Sequence, residues 1–367
     1  MVPGEAGSEG VQLKVVIDIL TPKQCMMFQV LNAELLERGH QVLMTTRRYR
    51  EVDEIIERRG IEATAVGRHG GKSLRRKLLE SVNRIAELVP IFEEFSPDLV
   101  VSFSSPEAAR ASFGLGIPHL CISDSPHAEA VMKLTIPLSE TLMTPWMIPK
   151  EAWTGYGITP DSILRYNALD PWAWLRDFEP DRGVLEELGI DPGKPVITIR
   201  SAEIFAAYLL KTNREESAIK SLIQGLVELD QEVQIVVIPR YLEQASALRG
   251  SYEGDVIVPE KAVDGPSLLH FSDLFIGAGG TMSAEAAILG VPTISCYPGK
   301  PTRVELFLIE QGLNERETNL ESLVERASGL LVDPKSQREA QEERARLLVE
   351  DFEDPVKVIA DEIERRA

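Results

Sequence analysis

The chain has no run of about 18 apolar residues, which excludes a transmembrane helix. Residues 1–10 are Gly-rich and acidic, without the basic start and apolar middle of a signal peptide. They read as a short disordered leader, and the protein is expected to be cytoplasmic. There are only three cysteines, Cys25, Cys121 and Cys296, widely spaced and without a CxxC, so disulfide and zinc readings both fail. The five histidines form no HxxxH pair, and no bound metal is expected. Positive charge is also scarce: 39 Lys+Arg against 58 Asp+Glu leave a net charge of −19, which repels phosphate backbones and argues against nucleic acid as a partner. A local site for a small phosphorylated ligand is still allowed. A Walker A motif is absent. Gly277-x-Gly279 begins a GxGxxG, but Met282 occupies the third glycine position, and no acid follows about 20 residues on, so a dinucleotide cofactor is not expected.

What is present is an alternation of short β-branched runs and helical segments. Strands are expected at 13–19, 41–45, 61–66, 98–102 and 118–122, with helices at 24–38, 49–59, 73–95 and 106–113 between them. The pattern weakens over 132–181, which holds all four tryptophans and reads as the end of one domain plus a linker. It resumes with strands at 195–199, 233–238, 255–258, 273–276 and 292–295, helices at 215–229, 241–248, 267–271 and 282–289, and a last helix at 355–366. Such alternation predicts an α/β fold of two doubly wound domains, with ligands at the carboxyl ends of the strands and a central cleft as the default site.

The most informative segment is Gly277-Ala278-Gly279-Gly280-Thr281-Met282-Ser283-Ala284-Glu285. It follows an apolar strand and opens a helix. Two glycines let the backbone approach a ligand, and the N–H groups of the first turn suit a diphosphate. Glu285, one turn further in, could take both hydroxyls of a ribose. A capping box does not explain Glu285, because Met282 stands where Ser or Thr is needed.

Gly279-Gly280-Thr281-Met282, Glu285-Ala286-Ala287 and Gly290-Val291-Pro292 resemble the donor signature of GT-B glycosyltransferases and non-hydrolysing UDP-N-acetylglucosamine 2-epimerases. Together with Ile17-Asp18-Ile19 and Tyr297-Pro298-Gly299 they are most similar to the mostly archaeal domain-of-unknown-function family 354, over about residues 12–365. The resemblance implies two Rossmann-like domains: 11–170 for an acceptor, 171–350 for a nucleotide-sugar, and a helix at 351–367 crossing back to the first. It implies a UDP-sugar as donor substrate, with no tightly bound cofactor. The diphosphate would meet Gly279, Gly280, Thr281 and Met282, the ribose Glu285, and the base the segment Val258-Pro259-Glu260. Arg200, Ser201, Tyr297, Pro298 and Gly299 would line the substrate site.

In the first domain the corresponding loops are Thr21-Pro22-Lys23-Gln24, which lacks the His often found there, and Ser102-Phe103-Ser104-Ser105, which lacks an epimerase Asp. Both loops are expected to contact substrate, through Thr21, Pro22, Lys23, Gln24, Ser104 and Ser105. Ser123-Asp124-Ser125-Pro126-His127 follows the fifth strand. Asp124, where the epimerases carry Glu, could be the base that takes an acceptor proton, or could orient His127 as one. Ser125 as N-cap and Pro126 at the first helical position would account for the loop without chemistry.

A basic island, Arg68-His69-Gly70-Gly71-Lys72-Ser73-Leu74-Arg75-Arg76-Lys77, interrupts the acidic chain. Its glycines predict a mobile loop that could hold an anionic or lipid-linked acceptor or graze a membrane surface. Trp146-Met147-Ile148 could be a second apolar contact or core filling. The expected function is metal-independent transfer of a sugar from a nucleotide-diphospho-sugar. The alternatives are a 2-epimerase, a non-catalytic nucleotide-sugar binder, or an enzyme using the scaffold for a non-sugar substrate. Oligomeric state is left open.

Overall fold

The computed structural model describes residues 11–71, 73–200, 215–229, 232–239, 242–251, 254 and 256–366. The chain forms two compact units. Unit 1 takes residues 1–144, 149–166 and 355–367; unit 2 takes 145–148 and 167–354.

Unit 1 is built from β1 (Lys14–Ile19), α1 (Pro22–Glu37), β2 (Gln41–Arg48), α2 (Arg50–Arg59), β3 (Thr64–Arg68), α3 (Leu74–Phe95), β4 (Leu99–Ser102), α4 (Pro106–Leu115), β5 (His119–Ile122), α5 (Glu129–Thr135), β6 (Thr141–Pro145) and β7 (Ile163–Tyr166). The sheet order is β3-β2-β1-β4-β5-β6-β7, and the ladders from β3 through β6 are parallel. A parallel sheet is covered on both faces, which is why β1 reads Val15-Val16-Ile17 without alternation and all three are fully buried. Val16, Val66 and Val100 of β1, β3 and β4 pack on Leu88 and Phe92 of α3 and Ala108 and Ala111 of α4. The closing helix Pro355–Arg366 belongs to this unit. It buries Val356, Ile359, Ala360 and Ile363, and Arg38 after α1 pairs with its Asp361 and Glu364 at 2.7 and 3.0 Å.

The stretch 132–181, expected to end one domain and lead into a linker, ends unit 1 at Tyr166 and enters unit 2 at Asn167. It supplies β6 and β7, and Trp153, Ile163 and Tyr166 are fully buried. Trp146 packs edge-on against Phe307 and Phe352 within unit 2, so its role there is core filling.

Unit 2 has β8 (Val196–Arg200), β9 (Gln234–Ile238), β10 (Leu274–Gly277), β11 (Thr293–Ser295) and β12 (Glu315–Arg316), in the order β12-β11-β10-β8-β9, all parallel. The strand expected over 255–258 is reduced to a single parallel bridge between Ile257 and Val236. In both sheets the strand order reverses beside the first strand of the unit, at β1/β4 and at β8/β10. Such switch points open a crevice at the carboxyl ends of the strands. No helix among the described residues is long and apolar enough to cross a membrane.

Candidate functional site

In unit 1 the switch point lies between the loops that leave β1 and β4. Pro22 opens α1 with its fixed φ, and Thr21 holds the N-cap position without a side-chain cap bond. Gln24 is buried and structural. Its Oε1 accepts from the Leu20 N–H at 2.5 Å, and its Nε2 donates to the Phe103 carbonyl at 3.0 Å, so the two loops are tied together. Ser104 is one of two non-glycine residues with positive φ among the described residues (56°), a strained conformation for a side chain that then donates to the Ile122 carbonyl. Ser105 caps α4 by accepting from the Ala108 N–H at 3.2 Å. Ser104 and Ser105 thus build the loop rather than project from it.

Lys23 and Asp124, expected on separate grounds, are brought together. Lys23 Nζ lies 2.5 Å from Asp124 Oδ2 and 4.2 Å from the centre of the Phe103 ring, and the Ser125 hydroxyl donates to Asp124 Oδ1 at 2.7 Å. Ser125 and Pro126 do not start a helix. The Ser125 hydroxyl is spent on Asp124, the chain turns with Ala128 N–H donating to the Ser125 carbonyl, and α5 begins only at Glu129. His127 is exposed on that turn.

Beneath these loops lies a cluster that sequence reasoning missed. Asp18, near the end of β1, is completely buried. Arg84 of α3 donates to both of its oxygens, at 2.5 and 3.0 Å, and Thr45 donates at 2.7 Å. Burial pushes the Asp18 carboxyl upward, but the charge and hydrogen bonds of Arg84 outweigh it and hold the group below its ordinary 3.8. Glu107 Oε2 is 3.9 Å from Arg84 Nη1, without a hydrogen bond. Burial also lowers the Arg47 guanidinium, which Glu107 only partly offsets. The one available signal was a lone Asp in an apolar strand and a lone Arg on the Arg84/Leu88/Phe92 stripe of α3. Nearby, His119 links Ser102 and Ser139 at 2.9 and 2.8 Å, and burial pushes its pKa down to about 4.

In unit 2 the switch point receives the glycine turn. Gly279 and Gly280 both have positive φ, 78° and 83°. The helix Thr281–Ile288 then starts with no side-chain cap. The N–H groups of Thr281, Met282 and Ser283 have no acceptor among the described residues. Among the described residues, a Cβ on Gly280 would meet nothing within 4 Å, whereas one on Gly279 would lie 3.1 Å from Glu305 Oε2. Among the described residues the turn is therefore unobstructed on the Gly280 side and bounded by a carboxylate on the Gly279 side. Glu305 is the second residue that sequence reasoning missed. Its Oε1 accepts from the Ser295 hydroxyl at 2.5 Å, its N–H is capped by Thr302, and its Oε2 is buried without a hydrogen-bond partner among the described residues. The Thr302-x-x-Glu305 spacing was the usable signal.

Glu285 is buried one turn into the helix, and its Oε1 accepts from the Trp174 indole at 3.0 Å. A diol arriving there shares an oxygen with the indole. Arg200 ends β8 and donates to the Pro239 carbonyl at 3.1 Å; Ser201 lies outside the described residues. After β11, Arg316 donates to the carbonyls of Tyr297 and Gly299, both at 3.2 Å, which clamps the Tyr297-Pro298-Gly299 turn. Arg249 likewise holds the Val258 and Pro259 carbonyls, at 3.2 and 2.7 Å. Among the described residues no group of three His, Cys, Asp or Glu is placed to hold a metal.

Two parallel sheets with switch-point crevices define an α/β protein of two Rossmann-like domains, the GT-B-like class. The chain belongs to the family described as protein of unknown function, DUF354, whose model matches residues 13–364. An uncharacterized protein of Methanocaldococcus jannaschii is 31% identical over 306 residues, 82% of this chain and 86% of that protein. Among solved structures, the UDP-GlcNAc 2-epimerase of Neisseria meningitidis, bound to UDP-GlcNAc, is similar with a TM-score of 0.70 at 19% identity, over 96% of this chain and all of the other. The spinosyn forosaminyltransferase is similar with a TM-score of 0.63 at 16% identity, over 97% and 100%. At these identities the likeness is one of fold.

Proposed function

We propose that this chain is a glycosyltransferase-like, metal-independent enzyme whose donor is a UDP-linked sugar, bound at the start of the helix Thr281–Ile288. One observation carries the reading: three backbone N–H groups without acceptors among the described residues sit at a helix N-terminus, behind two positive-φ glycines, at the switch point of a parallel sheet. Such a site attracts a diphosphate through both its donors and the helix dipole. The Glu305 carboxylate directs the anion to the open Gly280 side. Glu285 is the group for the ribose. That one structural neighbour was solved with UDP-GlcNAc bound and another is a forosaminyltransferase supports a nucleotide-sugar ligand.

In the proposed reaction the bond from the sugar's anomeric carbon to the diphosphate oxygen breaks. The charge left on the diphosphate is met by the N–H groups of Thr281, Met282 and Ser283. An acceptor oxygen bonds to the anomeric carbon and gives up its proton to a base. Asp124 is the carboxylate for that step, fixed in orientation by Lys23 and Ser125. Epimerisation is less well served, because the Ser102–Ser105 loop offers hydroxyls already engaged with His119 and α4.

Incubation of the full chain with UDP-sugars, followed by chromatography, tests this. A transferase slowly releases free UDP as water replaces the acceptor. Accumulation of a 2-epimer would replace the transferase reading with the epimerase one, and thermal stabilisation without either product would make the chain a binder.

A further inference from the structure

The first turns of α3 leave the body of unit 1. Residues 73–79 are all exposed, and the first buried side chain of the helix is Arg84. Four of the eleven large hydrophobic residues exposed among the described residues fall within nine positions here: Leu74 at 83%, Leu78 at 65%, Leu79 at 45% and Val82 at 54%. At the α-helical repeat these four share an arc of about 140°. Arg75 lies inside that arc, with Arg76 and Lys77 flanking it, and the side chains of these three cations make no hydrogen bond or ion pair among the described residues. The next acid along the chain, Glu80, is paired with Arg68 at 3.0 Å.

The described part of the loop leading to these turns, expected to be mobile, packs against them and against the end of β2. A Cβ on Gly70 would lie 2.4 Å from the Lys77 Cα, the His69 ring lies 4.7 Å from that of Tyr49 and tilted by 39°, and the His69 N–H donates to the Arg48 carbonyl at 2.9 Å. Lys72 lies outside the described residues. The helix start thus presents an exposed apolar and cationic surface.

We propose that the exposed start of α3 docks on an anionic lipid bilayer, with Leu74, Leu78, Leu79 and Val82 in the interface and Arg75, Arg76 and Lys77 against the head groups. Charge complementarity selects this occupant. The whole chain carries −19 and would be repelled as a body. Charges more than about 10 Å from the surface are screened at ordinary ionic strength, so the local cations decide. Aliphatic residues interleaved with Arg and Lys are the composition of a helix that lies in a bilayer interface.

Co-sedimentation of the full chain with vesicles tests the proposal, using pure phosphatidylcholine and an equimolar mixture of phosphatidylcholine and phosphatidylglycerol, at low salt. Binding is expected to the mixed vesicles alone. Replacing the three cations together (Arg75→Ser, Arg76→Ser, Lys77→Ser) is expected to weaken it roughly 100-fold. Leu74→Asn with Leu78→Asn should weaken it about tenfold or more. All five side chains are exposed, so an unchanged thermal midpoint will show intact folding. No binding of the parent chain to the mixed vesicles, or undiminished binding by either variant, overturns the proposal. So does a sedimentation profile in which the parent is a dimer, the leucine variant a monomer and neither binds lipid, which would make the surface a contact between two copies.

Discussion

The two switch-point crevices are built on opposite electrostatic plans. In unit 1 the charged groups answer one another: Arg84 grips Asp18, and Lys23 grips Asp124. In unit 2 the backbone donors of Thr281, Met282 and Ser283 have no acceptor among the described residues, and none of these lies within 4 Å of a Cβ built on Gly280. A cation already gripped by a carboxylate, as Arg84 and Lys23 are, has little left with which to hold an anion. Unpaired backbone donors have nothing to do unless an anion or water arrives. The proposed function accordingly gives the diphosphate of the donor to unit 2 and proton transfer to Asp124 of unit 1.

The largest effect that would break this comparison is at Arg84. Arg84→Ala leaves a buried carboxylate without its counter-charge and should cost about 3–5 kcal/mol in denaturant unfolding. In the parent chain Asp18 is held below its ordinary 3.8, so its contribution is present at neutral pH and is lost as pH falls through and below that value. In the variant burial acts without Arg84, the folded-state value rises above the unfolded one, and stability is lost as pH rises. A loss under about 1 kcal/mol would mean that the pairing in unit 1 is not what organises it.

Asp124→Asn keeps the shape of the group and removes its capacity to take a proton. Turnover should fall about 10²–10⁴-fold while UDP still stabilises the protein, and unchanged turnover would remove Asp124 from the reaction. Gly280→Ala places a Cβ at φ 83° and ψ −165°, a region essentially confined to glycine, at a cost of about 1–3 kcal/mol, and should abolish the thermal shift given by UDP. If the shift survives, the turn does not hold the diphosphate. The smallest effect is at Glu305. Glu305→Gln removes a negative charge beside the turn and should tighten UDP binding by a few-fold, about 1 kcal/mol at most, in a calorimetric titration. Weaker UDP binding would mean that the carboxylate organises the turn instead of limiting it.

Much of the architecture was legible in the sequence, because strands covered on both faces declare themselves as unbroken apolar runs, as in Val15-Val16-Ile17 and Leu274-Phe275-Ile276. Strands β6 and β7 did not, since Thr141–Pro145 ends in proline and Ile163–Tyr166 is four residues long and carries an Arg. The glycine turn was legible because backbone geometry restricts the residue choice locally. The Asp18–Arg84 pair was not: it joins residues 66 apart, and no local rule links them. Glu305 was hidden for the same reason, since it reaches Gly279 only after β11 and the following helix have folded beside β10.

The most direct test is calorimetric titration of UDP into the parent chain and into Glu285→Ala. One saturable site in the parent, markedly weaker in the variant, is the predicted result. No heat and no thermal shift with UDP, or with any of the UDP-, GDP-, dTDP- and ADP-sugars, would contradict the assignment of the Gly279–Met282 turn as a nucleotide-sugar site.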